Sequence, residues 1–284
     1  ALFLTLRYLP REPVMTVKPP FDIPGTLLYA ISLVMVVYGA SRLPAIFAWG
    51  LMGCGAVGLL GFVFWELRVP YPVFEVRLFA SNRVFAFSSL AALINYSATF
   101  AVTFLLSLYL QYIIGLPPQS AGMMLMAQPI VQALFSPLAG HLSDRVEPAI
   151  LASLGMAITA AGLLALTALT PTRSLAYILG VLIALGIGFA LFSSPNMNAI
   201  MGAIDQRHHG TASGVVATMR LLGQMTSMAM ATLVFALVIG PGEIEPALYP
   251  QFLTSVRICF ILSSCLCLSG IFFSVYRGRL RHVP

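Results

Sequence analysis

Long apolar runs separated by short polar breaks make up most of the chain. They fall at about Pro24 to Gly39, Pro44 to Trp65, Val84 to Gln111, Gln119 to Gly140, Ala149 to Leu169, Leu175 to Met201, Ala212 to Ile239 and Phe252 to Tyr276. A hydrocarbon core ~30 Å thick takes about 20 helical residues to cross, and lipid offers backbone groups no partners, so each run predicts a membrane-crossing helix. Eight complete spans are expected, the first being the shortest. Ala1 to Leu9 is apolar but too short to cross and has no signal-peptide layout, so it reads as the end of an earlier span and the chain as the C-terminal part of a longer protein. Between the second and third runs, Pro70 to Phe79 mixes apolar and charged residues and predicts a segment along the interface, its apolar side in the headgroups.

Polar residues inside the runs show which face of each helix turns from lipid, because a polar group in hydrocarbon is costly. Tyr96, Thr99, Thr103 and Ser107 recur at helical spacing in the third run, and Gln128, Gln132 and Ser136 in the fourth. In the seventh, Ser213, Ala217, Arg220, Gln224 and Ser227 form a small and polar stripe. Any single Ser or Thr is accounted for by hydrogen bonding between packed helices. Three stripes together predict a shared water-accessible cavity. Arg220 stands nine residues past Thr211, about 13 Å deep at 1.5 Å per residue, and no complete run contains a carboxylate at that depth. Two readings stand for it: a structural tie to helix-end carbonyls or to further sequence, and a role in substrate binding or coupling. Arg257, five residues into its run, is expected to snorkel outward toward Glu243 or Glu245. Gly50, Gly53, Gly55, Gly58 and Gly61 in the second run and Gly186 and Gly188 in the sixth predict close helix approach. Pro129, Pro137 and Pro195 predict bends. Met123, Met124 and Met126 are candidates for an apolar pocket wall or for plain packing.

Composition settles the class. Hydrophobic residues make up 59% of the 284, charged residues only 8%, and the mean hydropathy is +0.94, so the expected fold is an all-α polytopic membrane bundle. The 15 basic residues against nine acidic ones do not cluster as a nucleic-acid face would; they punctuate the runs. Arg7, Arg11, Lys18, Arg68, Arg77, Arg83, Arg145, Arg207, Arg277, Arg279 and Arg281 gather on one side, and only Arg42 and Arg173 on the other. By the positive-inside rule the first side, with both chain ends, is cytoplasmic, in an inner or plasma membrane. Cys54, Cys259, Cys265 and Cys267 sit in apolar runs as small hydrophobes. There is no H-E-x-x-H, no workable nucleophile and base pair and no acidic cluster, so neither an intramembrane enzyme, a metal nor a cofactor is expected.

Among the breaks, Gly140-His141-Leu142-Ser143-Asp144-Arg145 is the one polar turn between two long runs where an acid and a base stand side by side. Asp144 and Glu147 precede the helix expected from Pro148, placed to cap it. This turn resembles the G-x-L-x-D-R loop of the major facilitator superfamily, though Val146-Glu147-Pro148 follows where that loop usually continues with Gly and further basic residues. Pro72 to Phe79 with Asn82-Arg83, Leu108 to Gln111 with Gly115, Ser194 to Met201, and Gly210 to Gly214 with Arg220 and Gly223 are similar, in that order, to the EmrB/QacA-type fourteen-helix drug:proton antiporters.

The resemblance implies the end of a preceding span and a cytoplasmic linker over 1–22, two inserted helices over 23–66, a cytoplasmic interfacial linker over 67–83 and a six-helix C-terminal transporter half over 84–284. It also implies a secondary transporter exporting hydrophobic or amphipathic compounds in exchange for protons, working between two halves. Its partners would be the small-molecule substrate, protons, the bilayer and an N-terminal half of the same protein. Gly140, Asp144 and Arg145 would hold the cytoplasmic gate. Arg220 and Gln224 would face the central cavity, with Gln128, Gln132, Asn95, Tyr96 and Asn196 as polar wall. The alternative is a membrane subunit that does not transport, a truncated half or a scaffold.

Overall fold

The structure is a computed structural model that describes residues 22–42, 45–70, 72, 76–240 and 245–278. The expected span end at Ala1 to Leu9 lies outside these residues. Among the described residues ten α-helices follow one another: α1 Ile23–Ser41, α2 Ile46–Glu66, α3 Arg77–Ser81, α4 Arg83–Leu108, α5 Pro118–Leu125, α6 Ala127–Ser143, α7 Pro148–Leu166, α8 Leu175–Gly202, α9 His209–Val238 and α10 Tyr249–Tyr276. Seven helical stretches are long and apolar enough to cross a membrane, with Ile23–Gly39 a shorter apolar helix. The chain is therefore a multi-pass helical bundle.

Helices α4 and α7 to α10 close around one core. Leu105, Leu106 and Tyr109 meet Met156, Leu163 and Leu166 of α7, Leu182 and Leu185 of α8, and Phe252, Val256 and Phe260 of α10, all nearly inaccessible. Glycines set the spacings, as small residues do where lipid is as apolar as the protein. A Cβ on Gly155 of α7 would come within 2.6 Å of the Gly188 carbonyl and the Phe192 amide of α8. On the other side of α8, one on Gly186 would come within 2.7 Å of the Gln128 carbonyl of α6. In the α1–α2 hairpin only Gly55 and Gly58 of the five crowded glycines meet α1; Gly50, Gly53 and Gly61 face open space.

The fourth apolar run is two helices. Pro129 has no N–H to offer the carbonyl four residues back, at Leu125, and the helix breaks at Met126 between α5 and α6. Pro137 and Pro195 lie inside continuous helices. Beyond α4 the chain winds as a π-helix over Tyr109–Ile113, closed by the Ile114 amide on the Tyr109 carbonyl at 3.2 Å, and Gly115 then turns with φ +78. The buried Tyr109 hydroxyl donates to the Thr170 carbonyl at 2.7 Å, joining this end of α4 to the loop after α7.

Hydrogen bonds gather one set of helix ends. Asp22 accepts from the Gly25 amide and from the Trp65 indole, joining the start of α1 to the end of α2. Asn82 caps α4 through the Phe85 amide and donates its own amide to the Ala203 carbonyl after α8. Leu78 and Phe79 of α3 pack on Phe85, Ile200, Ala212 and Val215, so the apolar side of this segment faces protein rather than headgroups. At the opposite end Arg257 donates to the Thr167 carbonyl at 3.1 Å, while Glu243, one of the two acids expected to face it, lies outside the described residues. The Gly140 to Arg145 segment is helical through Ser143, because α6 continues across the glycine, and only Asp144 to Val146 turn. Glu147 stands at the N-cap of α7 with no side-chain cap bond; Pro148 at the first helical position already removes one amide needing a partner.

Candidate functional site

Five helices wall a cavity of about 750 Å³. Helix α4 supplies Tyr96, Thr99, Phe100, Thr103, Phe104 and Ser107; Leu125 comes from α5, Gln128 and Gln132 from α6, Phe189 and Ser193 from α8, and Arg220, Gln224 and Met228 from α9. Five of the seven residues expected in the cavity meet here, Tyr96, Gln128, Gln132, Arg220 and Gln224, together with Thr99, Thr103 and Ser107 of the α4 stripe. The volume is in the range of pockets for small molecules.

Gly223 explains how Arg220 is placed. A Cβ there would come within 2.6 Å of the Leu93 carbonyl and 2.7 Å of Tyr96 Cβ, so α9 lies directly on α4 at this level. One turn away the Arg220 guanidinium carbon sits 5.7 Å from the centre of the Tyr96 ring, a cation–π contact. Among the described residues Arg220 forms no ion pair, and it is the one charged side chain in the cavity wall. Ser227, on the same stripe, is buried and accepts from the Ala101 amide at 2.9 Å, so the stripe changes from cavity wall to helix contact within two turns.

Asn95 and Asn196 are not in this wall. Asn95 is fully buried, and neither atom of its amide finds a hydrogen-bond partner. Asn196 donates to the Ser88 carbonyl at 3.1 Å and accepts from Arg277 Nη1 at 2.9 Å, while the same Nη1 reaches Ser88 Oγ at 3.2 Å. Arg277 is 1% exposed. Burial pulls its pKa down to about 10, with Glu147 opposing the shift, so it stays protonated at neutral pH. This cluster ties α4, α8 and the end of α10 together. Nothing in the sequence singled Arg277 out from the other basic residues near that end.

The gate candidates lie apart from the cavity. A Cβ on Gly140 would come within 3.1 Å of Ser194 Oγ, and Ser143 Oγ accepts from the Asn198 amide, so the end of α6 is docked on α8. Asp144 and Arg145 follow, both exposed. Sequence reading did not find Phe100, Phe104 or Phe189, since an apolar residue on an apolar helix gives no sign of which side it faces, nor Ser193, a lone small polar residue whose hydroxyl a packed helix can absorb. Of the methionines near Leu125, Met123 and Met126 are exposed and Met124 packs on the main core.

Residues 23–228 and 88–284 match the family described as Major Facilitator Superfamily. The chain belongs to that superfamily. Its members are transporters, not enzymes. The chain is 31% identical over 238 residues to the uncharacterized transporter YebQ of Escherichia coli, covering 82% of this chain and 52% of that protein. It is 25% identical over 292 residues to the riboflavin transporter RibZ of Clostridioides difficile, covering 98% and 61%. The chain thus spans about half to three fifths of these relatives. Further matches at 28–29% identity are named for multidrug resistance, puromycin resistance and cephamycin export. Among solved structures, a bacterial homolog to the human lysosomal transporter Spinster, inward-facing and occupied, superposes with a TM-score of 0.56 at 18% identity, over 89% of this chain and 64% of that one. That likeness concerns the fold.

Proposed function

We propose that residues 84–284 are one half of a proton-coupled exporter of hydrophobic or amphipathic compounds of the EmrB/QacA type, residues 23–66 being the inserted hairpin. A second set of six spans, the N-terminal half, would complete the cavity. In this reading Arg220, Gln224, Gln128, Gln132 and Tyr96 contact cargo, and Gly140, Asp144 and Arg145 hold the cytoplasmic gate in a cell membrane, with both ends of the chain inside. The observation that supports it is the convergence of the polar stripes of α4, α6 and α9 on one cavity instead of three separate helix contacts. The relatives named for drug resistance and antibiotic export favour outward transport, and the riboflavin transporter shows that the same scaffold takes other cargo.

Dye efflux from cells carrying the full-length gene tests the reading. Wild type is expected to clear an amphipathic dye, to stop when a protonophore is added, and to lose at least ten-fold in rate in Arg220→Ala and Gln132→Ala at equal membrane abundance. Undiminished efflux in both variants removes this cavity from the transport path. No efflux by the wild type with any dye favours a subunit that does not transport.

A further inference from the structure

The charge of the cavity wall selects the sign of what it binds. The wall contains aromatic and aliphatic surface, seven neutral polar side chains besides Tyr96, and one guanidinium. An exposed guanidinium keeps its water until cargo arrives, and a planar anion is the partner that can replace that water with paired hydrogen bonds. Arg220 is exposed to the cavity and forms no ion pair among the described residues. Its guanidinium carbon lies 5.7 Å from the centre of the Tyr96 ring, and its N–H donors make no hydrogen bond among the described residues, which leaves them available for a planar acceptor. Tyr96 and the close approach at Gly223 hold this group in place, while Phe100, Phe104 and Phe189 offer rings for an apolar body. On this part of the wall a cation meets a like charge with no acid beside it among the described residues.

We propose that the site accepts amphipathic organic anions, an aromatic body with a carboxylate or sulfonate that pairs with Arg220 and is bordered by Gln224. This rests on the reading of the cavity as the cargo site. The chemistry is the bidentate pairing of a guanidinium with a planar acid, which an isosteric amide reproduces only in part.

Three probes of one shape test it: naphthalene-2-carboxylate, 2-naphthamide and 2-naphthylmethylammonium, titrated by calorimetry into the purified full-length protein in detergent. The carboxylate is expected to bind at least ten-fold more tightly than the amide, with the ammonium weakest. In Arg220→Gln the ratio of carboxylate to amide affinity should fall to near one, and Arg220→Lys should keep most of it. Equal affinities in the wild type, or a carboxylate preference that survives Arg220→Gln, overturns the charge assignment. If Phe100→Ala then weakens all three probes alike, the cavity reading stands without it. Failure of all three probes to bind overturns both.

Discussion

Arg220 and Arg277 are the same side chain with opposite surroundings. The first faces a cavity with only a ring beneath it; the second is 1% exposed and bonded to Ser88 and Asn196. Removing one member of a buried hydrogen-bonded pair leaves the other unsatisfied, and here the donor is charged but keeps Ser88, so Asn196→Ala should cost about 1.5–3 kcal/mol and Arg277→Met about 1–3 kcal/mol. Because the two act on one contact, the double variant should cost less than the sum, as read from thermal unfolding in detergent. Strict additivity would mean that the cluster is not an energetic unit. Sequence located Tyr96, Gln128, Gln132, Arg220 and Gln224 because polar groups in a lipid-facing run demand a reason. It could not separate Asn196 from them, since periodicity gives the face of a helix and not the neighbour that covers it. Arg277 was legible only as a topology charge, since adjacency to α8 is a tertiary fact.

At the scale of helices, seven of the eight expected spans recur in order as membrane-length stretches, and the first, expected to be the shortest, as the shorter apolar helix Ile23–Gly39. Proline chemistry accounts for the break at Met126 that separates α5 from α6. Which glycines matter was not legible. Gly155 and Gly53 look alike in the sequence, yet one lies against the α8 backbone and the other faces open space. Gly155→Ala should therefore force α7 from α8 and cost about 1–3 kcal/mol, whereas Gly53→Ala should be neutral or stabilise by up to about 1 kcal/mol through helix propensity. Melting temperatures of the two variants decide this, and equal values would contradict the packing described. The helical course of Gly140 to Ser143 has the same origin: glycine and serine read as a turn, but contacts with Ser194 and Asn198 keep α6 wound.

For the whole molecule, the hydrogen bonds sort the helix ends into two sets, and the orientation of those sets rests on the basic residues alone. Asn82, Ser143 and Arg277 share the end that the positive-inside rule assigns to the cytoplasm, and Thr167 and Thr170 the other. In a cysteine-free background, Ser174→Cys should react with a membrane-impermeant maleimide in intact cells, and His141→Cys only after permeabilisation. The reverse pattern would invert the assigned orientation. The lone guanidinium of α9 also has an electrical consequence. If cargo leaves as a monoanion while a proton enters, each cycle moves two charges in the direction favoured by a negative interior, about 4.6 kcal/mol at 100 mV. Such a pump would draw on voltage as well as acidity, and would keep running in alkaline surroundings where the pH difference has vanished.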